Sequence, residues 1–210
     1  MKNWAISLSG RAPHSHCGKG GPTPPWSTMK KYWYIDLIHK YIKPDSQAYP
    51  FYIIHVSLVT AKALEIANKL KLNEKSLNFI EEATMLHDIG ICQVEDEDFG
   101  TNGGPYITHG ISGANILRKE GYPKHAKVAE NHTGVGVFKR EIIEKNIPLP
   151  HKDFIPETLE ERIVSYADLF YSKTPEILWQ EKSLDEIRKG VSKYGQKYSD
   201  ILEEWIKQFE

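Results

Sequence analysis

From Tyr49 to the C-terminus, apolar residues recur every three or four positions, and no stretch alternates apolar and polar side chains persuasively. A period near 3.6 gives each segment one apolar helical face, so the chain is expected to fold as an all-α, single-domain helical bundle. The face is clear in Ile54, Leu58, Ala61 and Leu64, with His55 beside it. Asn73 suits the N-cap of a helix through Leu77, Ile80 and Ala83 that closes on His87 and Asp88, and Gly90 is its expected stop. Thr108 is expected to cap a helix from His109 to Gly121, and Pro123 to open one that ends near His132 and Gly134. Thr158 with Glu161 reads as a capping box before a helix whose buried stripe holds Asp168. Ser183 with Glu186 opens another capped helix, and a last amphipathic helix runs through Leu202, Trp205 and Phe209.

Three segments break this pattern. Residues 1–28 are rich in Gly and Pro and are expected to be a disordered leader or an upstream extension, with Met29 the natural start and residues 29–210 the domain. His14, His16 and Cys17 in that leader are set aside as adventitious. The acidic, glycine-containing run from Glu95 to Pro105 is expected to be a mobile, solvent-facing lid. Lys139 to Pro156 reads as a short helix and an extended connection.

Composition removes several function classes. With 27 basic and 28 acidic residues, no global field draws the chain to long nucleic acid or to an anionic membrane. The two cysteines, Cys17 and Cys92, form no disulfide framework, which fits a reducing, cytoplasmic setting. No apolar run is read as reaching the roughly 20 residues that span a bilayer.

What remains is a set of imidazoles and carboxylates, each in or at the end of a different expected helix: His55, the adjacent His87 and Asp88, His109, His132 and Asp168. Taken singly, such a histidine more often caps carbonyls. A buried Asp168 is costly unless a charged partner meets it, and a metal ion would. Jointly, nitrogen and carboxylate oxygen suit Fe, Mn, Co, Ni or Zn, and the helices of a bundle can converge them on one point. Adjacent residues on a helix point about 100° apart, so His87 and Asp88 can share an ion only across the helix end.

The order of these residues resembles the H…HD…D signature of the HD superfamily of metal-dependent phosphohydrolases. The run Ala83, Thr84, Met85, Leu86, His87, Asp88, Ile89, Gly90 looks like the motif itself. His109 to Ala114 is similar to the HGxxGA segment of some members, and Ser165 to Asp168 resembles the closing segment. His132, Thr133 and Gly134 are similar to a segment of a branch that hydrolyses diadenosine tetraphosphate. The resemblance covers about residues 50–175. It implies that His55, His87, Asp88 and Asp168 bind a common divalent ion, that Asp88 bridges to a second, and that His109 and His132 complete that second site. Asp88, His109 and His132 then carry the catalysis. Where some phosphodiesterase members have a lysine after the motif, this chain has Ile91, Cys92 and Gln93.

The chemistry expected is hydrolysis of a small phosphorylated substrate, a phosphate ester or a nucleotide, by metal-activated water. Thr133, Lys139 and Arg140 are the candidate phosphate donors, with Lys62 a weaker one. Cys92 is read as a small buried residue, since activated water needs no covalent step. The same six ligands also fit an HD-type mixed-valence di-iron oxygenase, or a catalytically idle metal-bound sensor. Tyr32, Trp33, Tyr34, Trp205 and Phe209 are candidates for a homodimer face.

Overall fold

The computed structural model describes residues 32–210; the readings of residues 1–28, of His14, His16 and Cys17 and of the start at Met29 lie outside them. The elements are Trp33–Tyr41 (α1), Ala48–Lys69 (α2), Glu74–Leu86 (α3), His109–Lys119 (α4), Pro123–Asn131 (α5), Lys139–Glu144 (α6), Leu159–Asp168 (α7), Leu184–Ser192 (α8) and Gln196–Phe209 (α9). Short 3-10 turns lie at Ile89–Gln93, Tyr106–Thr108 and Pro175–Ile177. The bundle is all-α, and the described residues contain only isolated bridges, Val94 with Gly104, Asp96 with Thr101 and Val137 with Phe154.

Local chemistry explains most of the boundaries. The Asn73 side chain accepts the Ser76 N–H at the start of α3, and Ser183 and Glu186 satisfy each other's backbone donors at the start of α8, the reciprocal arrangement of a capping box. Gly121, at φ 87°, ends α4 in a Schellman turn in which Tyr122 N–H reaches Leu117 O and Gly121 N–H reaches Arg118 O. Two expected caps are corrected. Thr108 donates its hydroxyl to Pro105 O instead of capping α4. Thr158 accepts the Glu161 N–H, but the Glu161 carboxylate accepts from Glu157 N–H and from Asn131 Nδ2, so it ties α7 to α5 rather than completing a box.

Gly90 also differs from its expected role. Helix α3 ends at Leu86, and Gly90 lies inside the following 3-10 turn without the left-handed φ that a helix stop would use. A Cβ there would collide with the His109 carbonyl oxygen and the Gly113 backbone nitrogen. Glycine is needed because α4 presses its first turn directly on the backbone of this segment.

Two apolar clusters flank the ligands. One gathers Val59, Ala63, Ile80, Ile163, Tyr166, Trp205 and Phe209. The other gathers Ile38, Tyr52, Val56, Leu86, Ile91, Leu117 and Ala129. His55 sits in α2 next to Val56 of one cluster and one turn before Val59 of the other. By length and apolarity α2 could cross a bilayer, a correction to the sequence reading, but Val56, Val59, Ala63 and Ala67 are fully buried in the bundle.

Two further expectations change. Tyr34, Trp205 and Phe209 are buried, and Trp33 stacks on Tyr122 with centroids 4.1 Å apart, so these four rings pack within one chain, while Tyr32 is 52% exposed. The acidic run is tied down at several points. Phe99 is buried beside Phe51, Asp96 accepts the Phe99 N–H, and Gln47 Nε2 donates to the carbonyls of Glu97 and Asp98.

Candidate metal centre

Five of the six candidate ligands stand at helix ends. His87 is the C-cap of α3, Asp88 precedes the 3-10 turn, His109 opens α4, His132 is the C-cap of α5 and Asp168 is the last residue of α7. Only His55 is interior to its helix. The C-termini of α3, α5 and α7 therefore converge, and their partial negative charge favours a cation. His87 and Asp88 reach one centre because the helical path breaks between them: His87 keeps helical angles, while Asp88 turns to φ −101°, ψ 8°.

The two oxygens of Asp88 face different partners. Oδ2 lies 3.2 Å from both His55 Nε2 and His87 Nε2, which are themselves 3.0 and 3.5 Å from Asp168 Oδ1. Oδ1 lies 3.3 Å from both His109 Nε2 and His132 Nε2. Two ligand groups result, His55, His87, Asp88 and Asp168 in one, Asp88, His109 and His132 in the other, each with its ligand atoms within 4.8 Å of one another. The structure thus brings together all six residues picked out from the sequence.

Hydrogen bonds decide which nitrogens are free. The Nδ1 atoms of His87, His109 and His132 lie 2.6, 2.8 and 2.8 Å from the carbonyl oxygens of Thr84, Tyr106 and Ala129, each three residues earlier. A carbonyl only accepts, so Nδ1 carries a proton and Nε2 is the atom that each ring aims at the cluster. His109 Nε2 and His132 Nε2 are 3.1 Å apart. Metal–nitrogen bonds of about 2.0–2.1 Å place neighbouring ligands about 3 Å apart, which matches. Both His55 nitrogens, His87 Nε2, Asp88 Oδ1 and Asp168 Oδ1 are buried without a hydrogen-bond partner, and Asp88 Oδ2 has the Lys173 ammonium 2.8 Å away; such an arrangement is costly unless cations satisfy it. The residues present fit a divalent metal.

In the ion-free chain the two histidine environments differ, and a cation at the Asp88 and Asp168 carboxylates would displace the proton that they hold on His87. Burial drives His109 down to about 3, against the pull of Asp88. Burial also opposes charge on His87, but the Asp88 and Asp168 carboxylates outweigh it and lift that imidazole to about 10. Burial would raise both carboxyls, yet Lys173 and the histidines hold Asp88 and Asp168 well below the usual carboxylate range.

Lys173 is the functional candidate that the sequence did not mark. Its Nζ lies 2.8 Å from Asp88 Oδ2, with the side chain 16% exposed, in a solvent-connected hollow shared with Tyr106, Asp96 and Lys182. The positive charge absent from Ile91–Gln93 is supplied from the loop after α7. The cations proposed from sequence are elsewhere. Lys139 and Arg140 line a separate hollow with Asp153 and Lys197, and Arg140, 86% exposed, pairs with Glu144. Lys62 pairs with Glu181 and lies over the Phe170 ring. Thr133 lines a cavity beside the ligands. Cys92 is half-buried, its thiol pushed up to about 11 by burial, which argues against a nucleophile.

The sequence pattern described as HD domain matches residues 52–172, more than half of the chain. The chain belongs to the HD-domain family. An uncharacterized protein of Methanocaldococcus jannaschii is 38% identical over 144 residues, 67% of this chain and 75% of that protein. A tRNA (cytidine(56)-2′-O)-methyltransferase of Thermoplasma volcanium is 30% identical over 176 residues, 80% of this chain but only 46% of the enzyme, so the chain spans less than half of that relative. Among solved structures, the HD domain of the L. monocytogenes phosphodiesterase PgpH superposes with a TM-score of 0.48 at 17% identity, covering 80% of this chain and 94% of that one. Membership of the HD family accounts for the ligand order, while Lys173 lies one residue beyond the matched segment.

Proposed function

We propose that the chain is a metal-dependent phosphohydrolase with a two-ion centre, acting on a small phosphate ester or nucleotide. The observation that carries the reading is Asp88, a buried carboxylate whose two oxygens each face a different pair of imidazole Nε2 atoms, as a bridging ligand would. Bound ions would lower the pKa of a coordinated water toward about 7 and supply charge to polarise a phosphoryl oxygen. His55, His87 and Asp168 hold one ion position, His109 and His132 the other, and the three Nδ1–H bonds to backbone carbonyls keep the rings from rotating away. Lys173, at the mouth of the site, clamps a phosphoryl oxygen and balances charge as the P–O bond breaks. Thr133 is a further donor, on the chain leaving His132.

The methyl transfer in the name of the T. volcanium relative belongs to a longer protein, and the reading here rests on the ligand cluster. Metal content measured on protein purified without chelator is expected to be near two ions per chain; near one would remove His109 and His132 from the centre. The loaded protein is expected to release phosphate from at least one member of a panel of nucleotides, dinucleoside polyphosphates, cyclic dinucleotides and simple esters, and Asp88→Asn to abolish it. Oxygen uptake by iron-loaded protein without phosphate release would replace hydrolysis with oxygenation.

A further inference from the structure

Immediately behind the ligands lies a cavity of about 520 Å³. Its inner wall is chain covalently attached to the metal site: Thr133 and Gly134 follow His132, and Leu169 follows Asp168. Its outer wall is Ile187, Gly190, Val191 and Tyr194 of α8 and the segment after it, which lie beyond the residues that match the HD family. Lys182 lines both this cavity and the hollow holding Lys173, so the two adjoin at that residue.

We propose that this cavity seats the leaving group of the substrate, and that the leaving group is a nucleoside. The inference rests on the hydrolase reading for the phosphate end. Its volume lies within the roughly 300–1,000 Å³ of small-molecule sites. The walls are largely apolar, as a base and the faces of a sugar require, with Thr133 and Lys182 to meet polar edges. Tyr194, 62% exposed and next to Tyr198, offers a ring on which a base can stack, a contact open to any base. Of the lining carboxylates, Glu141 pairs with Lys145 and Glu186 accepts from the Ser183 cap, and Lys182 and Lys193 stand on the same lining. A Cβ at Gly134 or Gly190 would meet nothing within 4 Å, which shows how open the wall is at both positions. An alkyl chain would leave the polar groups of the wall unpaired, and a polyol would leave its apolar face unfilled.

Gly190 provides the test, because it is helical without a left-handed φ, and a side chain there projects into open space. Binding of adenosine, guanosine, cytidine and uridine to metal-loaded protein is measured by calorimetry, beside inorganic phosphate. At least one nucleoside is expected to bind, Gly190→Leu to weaken it tenfold or more, Gly190→Ala to have a smaller effect, and phosphate affinity to stay within twofold in both variants; equal melting temperatures show that the variants are folded. If no nucleoside binds, or if Gly190→Leu binds as the parent does, the assignment is overturned. Phosphate release from nucleotides that ignores Gly190→Leu would overturn the cavity and keep the hydrolase. Nucleoside binding that Gly190→Leu blocks, without phosphate release from any ester, would keep the cavity and sink the hydrolase.

Discussion

Around His55, His87, Asp88 and Asp168, buried donors and acceptors crowd together without hydrogen bonds, whereas α8 and α9 satisfy themselves. There Ser183 and Glu186 close a reciprocal cap, Arg188 pairs with Glu203, and Trp205 and Phe209 are packed in the core. The first region depends on something outside the polypeptide for part of its stability, and the second does not. A divalent ion that binds only the folded chain contributes RT ln(1 + [L]/Kd), about 4 kcal/mol at a thousandfold excess over Kd.

Removing that ion should therefore separate the two regions most widely. Chelation is expected to lower the melting temperature of the parent protein, and Asp168→Ala to melt near the chelated parent and to ignore chelator. If Asp168→Ala destabilises loaded and stripped protein equally, the carboxylate is structural and the contrast fails. A smaller effect comes from Lys173→Met, which should retain the ions but raise KM for the phosphate substrate about tenfold, or about 1.4 kcal/mol; unchanged kinetics would limit Lys173 to balancing charge in the ion-free protein. The smallest effect falls in the other region. Ser183→Ala should cost about 1 kcal/mol, and the loss should be the same with and without chelator, measured by denaturant melts. A chelator-dependent loss would mean that α8 is coupled to the centre.

The sequence revealed the ligands better than it revealed their surroundings. Metal binding demands particular atoms, so His55, His87, Asp88, His109, His132 and Asp168 stood out by residue type together with an order that resembles the HD signature, and helix punctuation at Asn73, Gly121, Pro123 and Ser183 placed most of the elements around them. Phosphate-binding lysines carry no such mark. Lys139 and Arg140 follow His132 closely in sequence, but α6 holds them in another hollow, while Lys173 is brought to Asp88 by the turn of the chain after α7. Aromatic residues misled for a related reason: periodicity tells that Trp205 and Phe209 share a face, and only the fold tells that the face is covered.

The contact at Gly90 has a consequence for how the centre can vary. The glycine lets the His109 carbonyl rest on the backbone next to His87 and Asp88, so it sets the spacing between the two ligand groups. One added methyl group would force α4 and the segment that carries His87 and Asp88 apart, and so move His109 relative to the other ligands. A chain could in this way pass from a two-ion to a one-ion centre with every ligand still present, and an inventory of its ligands would not reveal the change.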